Sequence, residues 1–171
     1  SRSRHTRCSR DWISDVCSSD LVTYSGPVAG AFEAALLGFP GIAVSLERPD
    51  LDFGPAAALA ADLAAKVLAD GLPYRTFLSV NVPKGGFRGV RTTVQARRNH
   101  ITKVDRRMDP RQRPYFWIEE AQDDWAPDAR SDRQAILDGY ASVTPLQPDL
   151  TDHKALDLVE RLTKGIGTGV R

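Results

Sequence analysis

The hydrophobic positions of residues 24–46 repeat first with a helical and then with an extended period. Apolar side chains recur at spacings of three and four residues along one face: Val28, Ala31, Phe32, Ala35 and Leu36. Gly38 and Pro40 end this pattern, and a short apolar run follows at residues 42–46. The segment therefore predicts a helix covered on most sides, followed by a buried strand.

Further periodic segments predict a strand–helix–strand succession. Residues 55–69 carry an apolar stripe at helical spacing, and Phe77–Val82 alternates as a strand. Ala141–Leu146 is predicted as another strand, and a last helix follows a cap at Thr151 or Asp152. This succession is typical of a parallel sheet with crossover helices.

The middle of the chain follows a different pattern. Residues 90–97 alternate between apolar or small and polar side chains, which predicts a strand with one solvated face in an antiparallel extension. Residues 115–120 are a second candidate strand, and the charged segment 106–113 between them is predicted to be a loop. Ser131 and Gln134 form a capping-box pattern before a short helix.

Composition and charge indicate an ordinary soluble globular protein. The chain has 171 residues, of which 42% are hydrophobic, and a net charge of +1. Neither a strong charge field nor an apolar run of ~20 residues points to a nucleic-acid or membrane partner. A basic stretch at residues 88–107 lacks interleaved aromatic residues and is interpreted as a solvated hairpin. Both cysteines precede Val22, and no secretory leader is recognised, so we expect a cytoplasmic location.

Residues 1–21 differ in composition from the rest and follow no helical or strand period. One interpretation is a disordered polar tail. A zinc or disulfide hook through His5, Cys8 and Cys17 is disfavoured, because the spacing fits no standard site. We favour translated sequencing-adaptor read-through, which its ending SDVCSSDL resembles, and we expect this segment to be non-native.

Ser25 and Gly26 stand where the first predicted helix begins, and Pro27 occupies its first turn. The N–H groups and the dipole of a helix N-terminus favour an anion, so Ser25 and Gly26 are candidates for binding phosphate. On local chemistry alone, the commoner interpretation of such a pair is a plain helix cap.

Four segments, in order along the chain, resemble the SurE (survival protein E) family. They are YSGPVAGAFEAALLGFPGIAVS at 24–45, LSVNVP at 78–83, DPRQRPYFWI at 109–118 and DGYASVTPLQPDLTDH at 138–153. The resemblance implies an α/β, parallel-sheet, Rossmann-like fold that lacks its N-terminal strands, with an antiparallel β-hairpin extension and a C-terminal helix. Residues 22–171 would then be the C-terminal part of a SurE-like phosphatase domain.

The resemblance also implies an activity, namely a metal-dependent phosphomonoesterase of nucleoside monophosphates, or 5′/3′-nucleotidase. In the family, paired aspartates, a serine and an asparagine in an SGIN-type loop hold a divalent ion, Mg or Mn. None of these ligands maps onto this sequence, so we assign it no metal ligand and no catalytic residue, and we expect the truncated chain to be inactive alone. Pro27 stands where the family has Thr, which removes a hydroxyl and an N–H from the phosphate site.

Four other residues are candidates for substrate or interface contacts: Tyr24, Asn81, Arg113 and Tyr115. Asn81 would lie near the carboxyl end of a strand, where open α/β sheets bind ligands, although such an Asn more often satisfies a turn. The resemblance implies that the hairpin with Arg113 and Tyr115 lies near the active-site cleft and takes part in subunit contacts. Arg113 could reach a phosphate and Tyr115 could stack on a base, although an oligomer interface is the commoner interpretation of both. The resemblance implies a homo-oligomer, dimer or tetramer, formed through the hairpin and the C-terminal helix. The rival function is therefore a non-catalytic oligomerisation module.

Overall fold

A computed structural model describes residues 22, 25–47, 52–99, 102–120, 124–164 and 166 of the chain. The candidate residue Tyr24, and the whole of residues 1–21, lie outside the described residues. The described elements follow in chain order as α1 (Gly26–Leu36), β1 (Gly41–Leu46), α2 (Gly54–Asp70), β2 (Phe77–Val82), β3 (Val90–Thr92), β4 (Arg98–Asn99), β5 (Thr102–Met108), β6 (Pro114–Glu120), β7 (Asp124–Trp125), α3 (Asp132–Leu137), β8 (Ala141–Leu146) and α4 (Leu156–Thr163).

The central sheet has four strands in the order β1-β2-β8-β3. β1 and β2 are parallel, with Gly41 opposite Phe77, whereas β8 runs antiparallel to β2 and parallel to β3. Helices pack against this mixed sheet, as the α/β prediction requires. None of the described helices is long and apolar enough to cross a membrane.

Each face of the sheet is covered by a different helix. On one face, Leu78, Val80 and Val82 of β2 pack against the apolar stripe of α2, including Leu59 and Val67. On the other face, Val28, Ala31 and Ala35 of α1 pack with Ala43 and Phe77. The apolar faces of α1 and α2 therefore pack on opposite faces of β1 and β2, as the helical and extended periods of the sequence predict.

The α1–β1 connection is tight. Gly38, at φ 84°, adopts the left-handed conformation that ends α1. A Cβ on Gly41 would lie 2.4 Å from the carbonyl oxygen of Ala31, so glycine lets the strand approach the helix closely. Because the chain reverses between them, α1 runs antiparallel to β1.

Two predictions about the middle of the chain were wrong. β3 covers only Val90–Thr92 and joins the central sheet parallel to β8, not the antiparallel extension. The alternation of side chains predicts a strand but does not identify the neighbouring strand. The Thr93 N–H donates to the Val143 carbonyl, which fixes β3 beside β8. The antiparallel hairpin is formed by β5 and β6, and β5 includes residues 106–108, which were predicted to be loop.

The start of the last helix also differs from its prediction. α4 begins at Leu156, and Ala155 occupies its N-cap position without a side-chain hydrogen bond, so neither Thr151 nor Asp152 is the cap. Asp152 instead accepts the Lys154 N–H in the turn before the helix, at 3.0 Å. At α3 the prediction is confirmed, since the Ser131 hydroxyl accepts the N–H of Gln134.

Candidate anion-binding site

Ser25 forms the N-cap of α1. Its backbone is extended, with φ −82° and ψ 123°, and its hydroxyl oxygen accepts the Val28 N–H at 3.3 Å. Its carbonyl accepts the N–H of Ala29 at 2.9 Å, which closes the first turn. Pro27 fits this turn because its fixed φ is helical and no intrahelical bond needs its missing N–H.

Few hydrogen-bond donors of the described residues stand at the N-terminus of α1. Gly26 is exposed, and among the described residues no hydrogen bond engages its N–H. The Ser25 hydroxyl oxygen accepts the Val28 N–H. Pro27 contributes no donor at the next position. An anion here would therefore be held by the Gly26 N–H, the Ser25 hydroxyl and the positive end of the helix dipole.

Because α1 runs antiparallel to β1, the position of the α1 N-terminus along the sheet is fixed. Ala31, in the middle of α1, sits beside Gly41 at the start of β1. Five further residues of helix lead back toward Gly26, a rise of roughly 7 Å along the strand direction. Ser25 therefore lies toward the carboxyl ends of β1 and β2, the edge at which open α/β sheets bind ligands.

A row of buried polar side chains crosses the sheet near that edge. Ser45 of β1 is opposite Asn81 of β2, which is opposite Ser142 of β8. All three are buried, Asn81 completely. Among the described residues, neither amide atom of Asn81 nor the hydroxyl of Ser142 has a hydrogen-bond partner. Sequence analysis named Asn81 but missed the row, although polar residues at alternate positions of strands otherwise apolar were the available signal.

Arg113 and Tyr115 lie on the β5–β6 hairpin. The Arg113 N–H donates to the Asp109 carboxylate at 2.8 Å, and Tyr115, opposite Arg107, is 42% exposed. The extensive contacts of β5 and β6 among described elements are only with each other. Within one chain the hairpin residues are therefore not brought to Ser25, Gly26 or Asn81.

The described residues do not fit a divalent-metal site. Among them, no group of three His, Cys, Asp or Glu side chains could hold an ion together. His153 is exposed and faces Asp149, with Nε2 3.0 Å from a carboxylate oxygen. The hydrogen bonds from Thr151 and the contact with His153 lower the pKa of Asp149 to about 2.

A second charged cluster, missed in the sequence, ties β3 to the end of α3. The Arg91 guanidinium bonds the Asp138 carboxylate at 2.6 Å and lies 3.7 Å from the centre of the Tyr140 ring. Gln134 donates to the same carboxylate, and these two hydrogen bonds, with Arg91 the stronger influence, lower the pKa of Asp138. The cluster is already internally paired, so we assign it a structural role.

Comparisons with known proteins relate this chain to one family. A family model described as "Survival protein SurE" matches residues 15–102. A "5'-nucleotidase SurE" from Syntrophotalea carbinolica is 43% identical over 145 residues, which is 83% of this chain and 58% of that relative. The protein of the same name from Aquifex aeolicus is 37% identical over 82% of this chain and 58% of its own length.

The fold is matched as well. The crystal structure of the SurE protein from Aquifex aeolicus superposes with a TM-score of 0.72 at 35% identity, covering 88% of this chain and 62% of that one. This chain therefore spans less than two thirds of the length of the relatives it matches. On the family model, the sequence identity and the shared fold, the chain belongs to the SurE family.

Proposed function

We propose that this chain is the phosphate-binding side of a SurE-type metal-dependent phosphomonoesterase of nucleoside monophosphates, a 5′/3′-nucleotidase, and that it is inactive alone. The observation that supports this most directly is the Ser25–Gly26 helix end at the carboxyl edge of the sheet. The names of the relatives, 5'-nucleotidase SurE, supply the reaction class.

The chain's own residues would bind and orient the phosphate. The Gly26 N–H and the Ser25 hydroxyl donate to its oxygens, and the α1 dipole favours its charge. Pro27 limits the number of hydrogen-bond donors at this site. A residue there with an N–H and a hydroxyl would supply as many as two more. Each hydrogen bond to a charged group is worth ~1.5–3 kcal/mol, so phosphate binding by this chain is weak.

Hydrolysis needs groups beyond the described residues. A divalent ion, Mg or Mn in the proposed whole enzyme, would activate water and stabilise charge on the phosphoryl group. The described side chains provide no donor set for such an ion. We also propose a cytoplasmic site of action, which the absence of cysteine after Cys17 supports.

Two measurements test the proposal. In the first, the chain is assayed with nucleoside monophosphates and p-nitrophenyl phosphate in the presence of Mg²⁺ or Mn²⁺, and we expect no turnover. In the second, calorimetry or ³¹P NMR measures binding of inorganic phosphate, and we expect millimolar affinity that Pro27→Thr strengthens about tenfold or more. Metal-dependent turnover by this chain alone would refute its inactivity.

A pair of Ser25 variants tests the site itself. Asn and Asp cap helices about as well as Ser, so both substitutions keep α1 formed. Ser25→Asp places a negative charge at the anion site and is expected to abolish phosphate binding, whereas Ser25→Asn leaves measurable binding. Equal phosphate affinity in the two variants would contradict a phosphate site at α1.

Exposed apolar side chains favour a second candidate function, a non-catalytic oligomerisation module. α4 has no buried residue, and Leu156, Leu158, Val159 and Leu162 are each about half exposed or more. The hairpin exposes Val104, Met108 and Phe116. Light scattering after size exclusion tests this function: a dimer or tetramer that Leu158→Lys or Phe116→Lys dissociates supports it, and a monomer contradicts it.

A further inference from the structure

The guanidinium group of Arg91 is held in one orientation by its neighbours. It lies 3.7 Å from the centre of the Tyr140 ring and donates to one carboxylate oxygen of Asp138 at 2.6 Å. Gln134 donates to the other oxygen of that carboxylate at 2.8 Å, which fixes Asp138 in turn. A guanidinium stacked on a ring and bonded along one edge is oriented before any ligand binds.

The Tyr140 ring is itself positioned by the backbone around it. The Tyr140 N–H donates to the Ala135 carbonyl at 2.9 Å, and the Ala141 N–H donates to the Gly89 carbonyl at 3.0 Å. A Cβ on Gly89 would lie 3.4 Å from Cε1 of the Tyr140 ring, so this glycine lets the ring lie close to the segment before β3. The ring is therefore a firm support for Arg91.

One face of the Arg91 guanidinium remains available for stacking. The side chain is 38% exposed. Because Tyr140 covers one face and Asp138 one edge, the exposed area lies on the opposite face and the remaining edges. Nucleobases stack on guanidinium planes much as they do on aromatic rings. Stacking uses the face of the cation, so the hydrogen bond to Asp138 that gives the cluster its structural role does not prevent it.

The Arg91 side chain lies on the face of the sheet that α1 covers. Arg91 is opposite Ser142 of β8, which is opposite Asn81 of β2. Side chains at paired positions of neighbouring strands point to the same face. Asn81 alternates with Val80 and Val82, which pack against α2, so the row of three points to the face of α1.

Arg91 and Tyr140 also lie at the edge of the sheet where α1 begins. Because β8 is antiparallel to β2, residues just before β8 lie beyond the carboxyl end of β2, the edge toward which Ser25 lies. Two strand spacings separate β1 from β8, a distance of roughly 10 Å. A nucleoside monophosphate, whose ribose separates phosphate from base, can extend from the helix end at Ser25 toward Arg91.

We propose that the exposed face of the Arg91 guanidinium stacks against the nucleobase of a nucleoside monophosphate whose phosphate lies at the Ser25–Gly26 helix end. Arg91 is then a specificity residue, which favours nucleotides over other phosphomonoesters. The inference rests on the proposed function, which places the phosphate at α1. It differs from the sequence prediction that gave base stacking to Tyr115, a hairpin residue that one chain does not bring to Ser25.

The test compares AMP, ribose 5-phosphate and adenosine as ligands of the whole chain, in NMR titrations that follow the Arg91 Nε–H resonance. We expect AMP to bind about fivefold more tightly than ribose 5-phosphate, or better. AMP and adenosine, but not ribose 5-phosphate, should move the Nε–H resonance through the ring current of the base, which a merely structural arginine would not show. Equal affinities of AMP and ribose 5-phosphate, or an Nε–H resonance that AMP does not move, overturn the proposal.

Failure of the phosphate site would give a different result. Ribose 5-phosphate and inorganic phosphate would then not bind, whereas adenosine would still move the Arg91 resonance. That outcome refutes the phosphate site at α1 and supports base stacking on Arg91.

Two matched variants separate the guanidinium plane from its charge. Arg91→Lys keeps a cation beside Asp138 but removes the plane, and it is expected to lower the AMP affinity to that of ribose 5-phosphate while phosphate affinity stays within twofold. Arg97→Lys makes the same change at another exposed arginine and should leave the AMP affinity within twofold. Urea unfolding checks that both variants are folded. Loss of AMP affinity in Tyr115→Leu but not in Arg91→Lys overturns the proposal.

Discussion

Thr144 and Ser142 are two buried hydroxyl residues on one face of β8, and they differ in their hydrogen bonding. The Thr144 hydroxyl lies 2.7 Å from that of Thr93, which is also buried. The Ser142 hydroxyl has no hydrogen-bond partner in the part of the chain that the structure describes. Removing one partner of a buried hydrogen bond leaves the other unsatisfied, whereas removing an unpaired hydroxyl removes a desolvation cost.

We therefore predict opposite effects of two hydroxyl deletions. Thr144→Val is expected to lower the free energy of unfolding by ~1–3 kcal/mol, because Thr93 is left unpaired. Ser142→Ala is expected to leave it unchanged or to raise it. Urea denaturation followed by circular dichroism measures both. A large loss from Ser142→Ala would show that a group such as an ordered water satisfies this hydroxyl in solution.

The pKa of Asp149 makes the turn before α4 sensitive to acid. Its carboxylate accepts the Thr151 N–H at 2.9 Å, and hydrogen bonds lower its pKa from 3.8 to about 2. A lowered pKa means that the folded turn favours the charged form, so the stabilisation is complete above pH 3.8 and is lost as the pH falls through about 2. We expect the Thr151 amide resonance to shift with a midpoint near pH 2 in an NMR titration.

Asp149→Asn is the control for this titration. The amide keeps an oxygen that can accept the Thr151 N–H but does not titrate, so the low-pH shift of that resonance should disappear. A midpoint near pH 4 in the unaltered chain would instead show that the carboxylate is not held by these contacts.

Sequence analysis found the residues whose roles are local and missed those whose partners are distant. The roles of Ser25 in α1 and Ser131 in α3 follow from their own neighbours, and both caps are formed. The Arg91–Asp138 pair joins residues 47 positions apart, and no local pattern predicts it. The position of Asn81 on its strand was predictable, but its complete burial without a partner depends on the two strands beside it.

At the scale of elements, the close contact of α1 with β1 depends on Gly41. A Cβ there would lie 2.4 Å from the Ala31 carbonyl oxygen and 2.9 Å from the Ala31 Cα, both of them backbone atoms. We expect Gly41→Ala to displace α1 and to destabilise the fold by ~1–3 kcal/mol, as overpacking does. Thermal and urea unfolding measure the loss.

Gly30→Ala is the matched control within α1. Among the described residues outside its own turn of helix, a Cβ on Gly30 meets no atom within 4 Å, so this change only improves helix propensity, by ~0.5–1 kcal/mol. Its unfolding midpoint should therefore rise. Equal and small effects of the two substitutions would contradict the close helix–strand contact.

The bounds of an element were predicted best where its whole pattern of apolar and polar residues lies within one segment. The bounds of β2 and β8 agree with the predicted strands, and α2 extends one residue beyond each end of its prediction. β3 and β5 were misassigned because their side-chain alternation gives no information about the strand beside them. Pairing depends on contacts far along the chain, which one sequence does not reveal.

The charge distribution of the whole molecule argues against nucleic-acid binding. The net charge is +1, and two cations of the basic stretch are paired within the chain, Arg91 with Asp138 and Arg107 with Asp105. We expect no binding to single- or double-stranded DNA at 150 mM salt, on the order of physiological ionic strength, in fluorescence anisotropy. Submicromolar affinity that falls steeply with added salt would contradict this prediction.

The β5–β6 hairpin closes on itself at a turn in which the Asp109 carboxylate accepts the N–H groups of Arg111 and Arg113, each at 2.8 Å. Because the extensive contacts of this ladder are internal, its tip is suited to carry foreign sequence. An epitope or a protease site inserted between Arg111 and Gln112 would lengthen the tip and leave the central sheet intact. The protein thus offers an attachment point for immobilisation that is separate from both the helix end at Ser25 and the open edge of β1.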